Sequence, residues 1–227
     1  VYYPLEDLLG ILALESHRHQ AMVIGEDLGT VPEEIRQVLA DNGVYSYRVF
    51  FFEKAEDGGF YSPAHYPQQS MSTLTTHDMP TLIGYWHCLD LELGKQLGLY
   101  TDDDVLQTLY ASRHEDKQEI LNSLHGHGRA GDEVGRDVNV TGMSRELNFA
   151  LQTHMAYGSS ALLSLQLEDW LQMDKPVNIP GTFMEYPNWR RKLSRNLESI
   201  FADEDIQSLA AGINAGRQEA GRQHNDR

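Results

Sequence analysis

The amino-acid sequence predicts an α/β fold built on a parallel sheet, and three observations carry that reading. Short β-prone runs alternate with helical patterns in βα order, which argues for parallel strands joined by crossover helices. Two of those runs stop abruptly at polar residues: Met22-Val23-Ile24 at Gly25-Glu26-Asp27, and Ser72-Thr73-Leu74-Thr75 at Thr76-His77-Asp78. Each then hands over to a proline-led helix start, Pro32-Glu33-Glu34 and Met79-Pro80-Thr81, because proline fits a first turn whose N–H groups lack intrahelical partners. Strands are expected near 21–25, 47–52, 72–76 and 159–166, and four parallel strands are half of the eight that close a (β/α)8 barrel. There is no internal repeat and no low-complexity linker, so residues 1–227 read as one unit.

In chain order, Leu5 to Gln20 has helical periodicity. Leu5, Leu8, Leu9, Ile11 and Leu12 form an apolar face, while Glu6, Asp7, Glu15, His17, Arg18 and His19 lie outside it as solvated residues, not ligands. The first strand follows, then a helix over 32–41 stopped by Asn42-Gly43. Tyr47 to Phe52 is continuously aromatic and β-branched, as a strand buried on both faces should be. Phe52, at its carboxyl end, suits core packing better than a ligand contact.

A polar connection with Gly58-Gly59, Pro63 and Pro67 leads to the strand that ends at Asp78. Residues 80–97 read as one helix with Trp86 and Leu89 inward. Thr101-Asp102-Asp103-Asp104 opens the next helix, with acids at the positive end of its dipole; capping explains the three aspartates better than a metal does. The helical pattern resumes around Lys117–Leu124. Residues 125–142 hold five glycines and read as a surface loop, and His125 and His127 lack the further ligands a zinc site needs. A helix over 144–157 precedes the last strand, which ends at Glu168-Asp169-Trp170. A loop over 178–182 follows, then helices over 188–201 and 203–220, with a flexible tail from about Gly221.

Composition narrows the function classes. Asp+Glu number 34 and Lys+Arg 18, a net charge of −16 that repels phosphate backbones and excludes nucleic acid as a natural partner. The apolar share of 41% supplies a core, but no run approaches the roughly 18 apolar residues of a membrane-spanning helix. The single cysteine, Cys88, forbids an internal disulfide and suits a reducing cytoplasm; it reads as a structural thiol. No signal peptide is expected, and Val1 is not an initiator methionine.

The polar strand ends allow two readings. Glu26, Asp27 and Asp78 could simply cap the turns and helices that follow them. Alternatively, they stand where parallel α/β folds do chemistry, at the carboxyl ends of strands. Two carboxylates on neighbouring strand ends are the minimum equipment for glycoside chemistry.

Gly25-Glu26-Asp27-Leu28-Gly29, Thr76-His77-Asp78, and Val177-Asn178-Ile179-Pro180-Gly181-Thr182 with Asn188-Trp189-Arg190-Arg191 resemble the 4-α-glucanotransferases, also called amylomaltases or disproportionating enzymes. The resemblance runs in order from Tyr2-Tyr3-Pro4 to about Asp203 and is strongest to the bacterial maltodextrin-utilisation form. It implies the C-terminal half of a TIM-type barrel of the α-amylase clan, with extra helices. It also implies a preceding N-terminal portion that carries the aspartate nucleophile in an Arg-x-Asp-His motif, which this chain lacks. By the same resemblance Glu26 is the acid/base and Asp78 the transition-state stabiliser. His77 and Asn178 match sugar-binding positions, and Asp27 supports Glu26; Phe52, an aromatic at a strand end, is a further candidate for stacking on the sugar. The reaction implied is transfer of α-1,4-glucan segments between maltooligosaccharides and glucose with retention, with no metal or organic cofactor. The proton donor must hold its proton, which a neighbouring carboxylate such as Asp27 or Asp78 favours by like-charge repulsion. The same carboxylates would serve an α-glucan hydrolase of the clan. A chain without the nucleophile would also serve as a glucan-binding or structural part.

Overall fold

The computed structural model describes residues 3–225, so Val1 and Tyr2 lie outside the described residues. Its centre is a three-stranded parallel sheet in the order β1 (Ser46–Val49), β2 (Ser70–Thr73), β3 (Leu162–Ser164). The register pairs Ser46 with Ser70 and Val49 with Thr73, then Met71 with Leu162 and Thr73 with Ser164. All strands therefore point the same way and end at one edge.

The expected first strand over 21–25 is reduced to a single parallel bridge between Ile24 and Tyr45. Two backbone hydrogen bonds hold it, Gly25 N to Tyr45 O at 2.8 Å and Tyr45 N to Val23 O at 2.9 Å. Nothing among the described residues pairs with its outer edge, and Met22 is 54% exposed, so propensity alone does not extend the ladder. The expected strand over 47–52 stops at Val49, and Phe50–Phe52 curl into a 3-10 turn. An extended chain would send Phe50 and Phe51 to opposite faces. The turn instead delivers both to one core, where Phe50 stacks on Phe60 (centroids 4.8 Å apart) and Phe51 meets Tyr85 (4.3 Å), and it leaves Phe52 outward.

The helix over the amino-terminal residues, α1 (Leu5–His19), forms as its periodicity predicts, but its apolar face is not covered. Only Leu9 is buried, while Leu8, Ile11 and Leu14 are exposed. Next comes α2 (Glu33–Asp41), and then β1 and β2. The single helix expected over 80–97 is two, α3 (Leu82–Trp86) and α4 (Leu89–Gln96), separated by Cys88 in the left-handed region at φ +57°.

Conversely, the two helical patterns after Thr101 are one helix, α5 (Asp103–Gly126), and Asp102 caps it by accepting from the Asp104 and Val105 amides. The glycine-rich stretch that follows is irregular as expected. It is not purely a surface loop, because Val134, Val138 and Met143 enter the core. Ser144 caps α6 (Arg145–Ala156) by accepting from Leu147 N.

After β3 come α7 (Leu167–Trp170), α8 (Leu197–Phe201) and α9 (Glu204–Asn225). Residues 188–196 are not helical, because Asn188 and Trp189 serve the preceding loop. The last helix runs past Gly221, where the sequence places the start of a flexible tail.

The core lies between the sheet and α3, α5 and α6, with Leu74, Leu82, Trp86, Leu121, Leu147 and Met155 at its heart. Helix α9 packs on α6, where a Cβ on Gly216 would stand 3.0 Å from the Ala156 Cβ. Arg217 of α9 reaches the chain ahead of β3 and donates to the carbonyls of Gly158, Ser160 and Ala161. This clamp fixes the strand whose end faces the site.

Candidate active site

The parallel register sets four chain segments side by side at the carboxyl edge of the sheet. Glu26 follows the Ile24 bridge, Phe52 follows β1, His77 and Asp78 follow β2, and Glu168 follows β3.

After β2 the chain turns tightly. Thr73 Oγ1 donates to Thr75 O at 2.8 Å, and Asp78 N donates to Thr76 Oγ1 at 3.2 Å. That turn projects Asp78 outward with roughly half its side chain exposed. Asp78 does not cap the next helix: Thr81 does, accepting from Gly84 N. The Asp78 carboxylate faces two partners instead. Asn178 Nδ2 donates to its Oδ1 at 2.6 Å, and His77 Nε2 lies 3.4 Å from its Oδ2. The structure thus brings together three sequence-predicted residues from two distant segments.

Asn178 is placed by a braced loop. Asn188 Oδ1 accepts from Ile179 N at 2.9 Å, and Asn188 Nδ2 donates to Thr182 Oγ1 at 2.8 Å. Tyr186 OH donates to Pro176 O at 2.6 Å. Gly181 sits at φ +83°, a left-handed turn that glycine takes without a Cβ clash.

The two adjacent acids after the Ile24 bridge part company. Asp27 is buried: its Oδ1 accepts from Tyr47 N at 2.9 Å, and its Oδ2 lies 3.7 Å from Arg36 Nε. Glu26 is exposed. Neither caps α2, whose N-cap is Pro32 with no side-chain hydrogen bond.

Tyr47, which the sequence offered only as a strand residue, stands beside Glu26. Burial raises its phenol above the ordinary range, a hydrogen bond with Thr73 pulls it down, and the Glu26 charge pushes it up. Its phenol is therefore held protonated. Its place in the first half of a strand that pairs with β2 is the signal that marks it.

Phe52 is 57% exposed and shares a cleft with Asp78, Met79, Ser112 and Asp116. A second hollow joins Asp78 to Asn178, Tyr100 and Pro180. Asp169 faces inward: its carboxylate accepts from Thr75 Oγ1 and from Leu82 N, tying the ends of β2 and β3 to α3. Burial pushes its carboxyl up to about 6, against the pull of those two donors.

Among the described residues no three His, Cys, Asp or Glu side chains gather as a metal site. His125 and His127 each spend a ring nitrogen on a backbone carbonyl, of Gly135 and Ser123. No helix of the described residues is long and apolar enough to cross a membrane.

Known proteins resemble this chain along most of its length. A family profile described as 4-alpha-glucanotransferase matches residues 1–198. The 4-alpha-glucanotransferase of Haemophilus influenzae is 40% identical over 217 residues, covering 96% of this chain and 31% of the relative. That of Mycobacterium tuberculosis is 33% identical over 228 residues, covering 95% of this chain and 30% of the relative. The chain thus spans about a third of the length of these relatives.

Among solved structures, amylomaltase from Corynebacterium glutamicum superposes with a TM-score of 0.82 at 29% identity, over 94% of this chain and 31% of that one. An amylomaltase from Streptococcus agalactiae, solved with acarbose, matches 84% of this chain and 30% of its own with a TM-score of 0.56; at 16% identity it speaks to the fold alone. With strand-end carboxylates, a braced loop over one of them, and a profile match over most of its length, the chain belongs to the 4-alpha-glucanotransferase family.

Proposed function

We propose that this chain supplies the acid/base and the transition-state carboxylate of an α-1,4-glucan transfer with retention, as the C-terminal half of a (β/α)8 barrel. The observation that carries the reading is the Asn178–Asp78–His77 cluster on the sheet edge that also bears Glu26. In the first step an aspartate from the preceding portion attacks the anomeric carbon of the donor glucan. Glu26 gives its proton to the departing glycosidic oxygen. In the second step an acceptor hydroxyl attacks that carbon, Glu26 takes its proton back, and the aspartate leaves. The two inversions give retention.

Asp78 holds the hydroxyls of the reacting sugar and offsets the positive charge of the oxocarbenium-like state. Asn178 and His77 fix its two oxygens so that it meets the sugar in one orientation. Phe52 offers an apolar face to a glucosyl ring across the shared cleft.

The exposed apolar face of α1 and the open edge at Ile24 give the preceding portion its docking surface. The partners are then maltooligosaccharides, glucose and that portion. A cytoplasmic location is in keeping with the lone Cys88.

Product analysis with maltotriose tests the reading in a chain extended to the relatives' full length. Longer maltodextrins appearing together with glucose mark transfer. Glucose and maltose alone would make the protein a hydrolase instead.

A further inference from the structure

Trp189 is out of place by the ordinary rules. Its backbone sits at φ +60°, a region that a bulky side chain rarely adopts, and its indole is 62% exposed. The loop enforces this. Trp189 N donates to Val177 O at 2.9 Å, next to the residue that binds Asp78, and the neighbouring Asn188 pins Ile179 and Thr182. The strained backbone aims the indole at His77, whose ring centroid lies 5.1 Å away at a tilt of 47°. His77 in turn faces Asp78 at 3.4 Å. Strain held in place by surrounding bonds marks a position whose geometry is used.

We propose that Trp189 is a positioning residue: its ring fixes the rotamer of His77, and so the orientation of the Asp78 carboxylate toward the sugar. The loop then clasps Asp78 from two sides, with Asn178 on one oxygen and the Trp189–His77 pair on the other. Without the indole, His77 is an exposed side chain at the end of an irregular turn, with its 3.4 Å contact to Asp78 left to hold the ring. This inference rests on reading Asp78 and His77 as the groups that contact the sugar.

The test separates ring from backbone. Trp189→Gly removes the indole and relaxes the left-handed strain, Trp189→Ala removes the indole and keeps the strain, and Trp189→Phe keeps a ring. All three are compared in maltotriose disproportionation, in a chain extended to the relatives' full length. The positioning role predicts that kcat falls about tenfold or more in the Gly and Ala variants, since small misplacements of a reacting group are costly. It also predicts that KM stays within about twofold and that Phe recovers most of the rate.

A Gly variant with undiminished kcat would overturn it. So would a raised KM at unchanged kcat, which would make the indole a direct sugar contact. A readout free of activity uses the 227-residue chain itself: the indole ring current should displace the His77 Hε1 resonance, and Trp189→Ala should return it to the ordinary imidazole range. An unmoved resonance would overturn the proposal. Asp78→Asn separates the two readings. If it leaves transfer intact, the site reading fails; if it abolishes transfer while Trp189→Gly does not, only the positioning role fails.

Discussion

Glu26 and Asp27 are adjacent and chemically alike, yet the fold gives them different work. Asp27 turns inward and satisfies the Tyr47 amide, and the Arg36 guanidinium stands beside it. Removing its carboxylate leaves a part-buried N–H without a partner, which costs roughly 1–3 kcal/mol. We predict that Asp27→Ala lowers the free energy of unfolding by that amount, read as a lower urea midpoint at unchanged slope. Glu26 makes no such anchor, so Glu26→Gln should leave the midpoint near its original value. In the full-length context it should cut maltotriose transfer by about 10²-fold or more, the scale of general acid–base catalysis. Near-normal turnover by Glu26→Gln would remove it from the acid/base role. The pair of acids was legible in the sequence, but which one faces inward was not. That choice depends on Tyr47 and Arg36, which lie 20 and 9 residues away.

The elements show where local pattern and tertiary packing disagree. Helix starts were legible because their causes are local: Asp102 and Ser144 cap from their own turns. Strand lengths were not, because Phe50 and Phe51 leave β1 for partners such as Phe60 and Tyr85 in other segments.

Helix α6 carries a liability that its periodicity hid. His154 is buried beside Phe50 and 5.4 Å from the His127 ring, and neither of its ring nitrogens has a hydrogen-bond partner. Burial, aided by the positive fields of His127 and Arg129, pulls its imidazole down to about 3 from an ordinary 6.5. Below pH 6.5 the unfolded chain binds a proton that the folded chain refuses, so stability falls as pH drops from 6.5 toward 3. The slope approaches about 1.4 kcal/mol per pH unit. We predict that His154→Phe flattens this dependence, saving about 2 kcal/mol between pH 6.5 and pH 5 relative to the unchanged chain. Parallel urea midpoints for the two proteins across that range would refute the assignment.

At the scale of the whole molecule, the structure looks like a part. Leu5, Leu8, Ile11, Leu12 and Leu14 of α1 are exposed, as are Met22 and Ile24 in the segment that follows. A surface of that kind marks an interaction site. The chain also spans about a third of its relatives, and no Arg-x-Asp-His motif occurs in it to supply a nucleophile. The parallel sheet and the segments at its carboxyl edge were nevertheless legible, because strand ends announce themselves in polar residues; the uncovered face was not, because an apolar stripe reads the same whether or not its partner is present. We predict no measurable disproportionation of maltotriose by residues 1–227 alone, since no glucosyl–enzyme bond can form without the nucleophile. Adding the separately produced preceding portion of the enzyme should restore transfer by docking on α1. Leu8→Glu with Ile11→Glu should block that rescue, because burying two unpaired carboxylates is costly, while leaving α1 helical by circular dichroism. Robust transfer by the purified chain alone, lost on Glu26→Gln, would overturn this picture. It would mean that another carboxylate on the same sheet edge, Asp78 or Glu168, attacks the anomeric carbon in place of the absent aspartate.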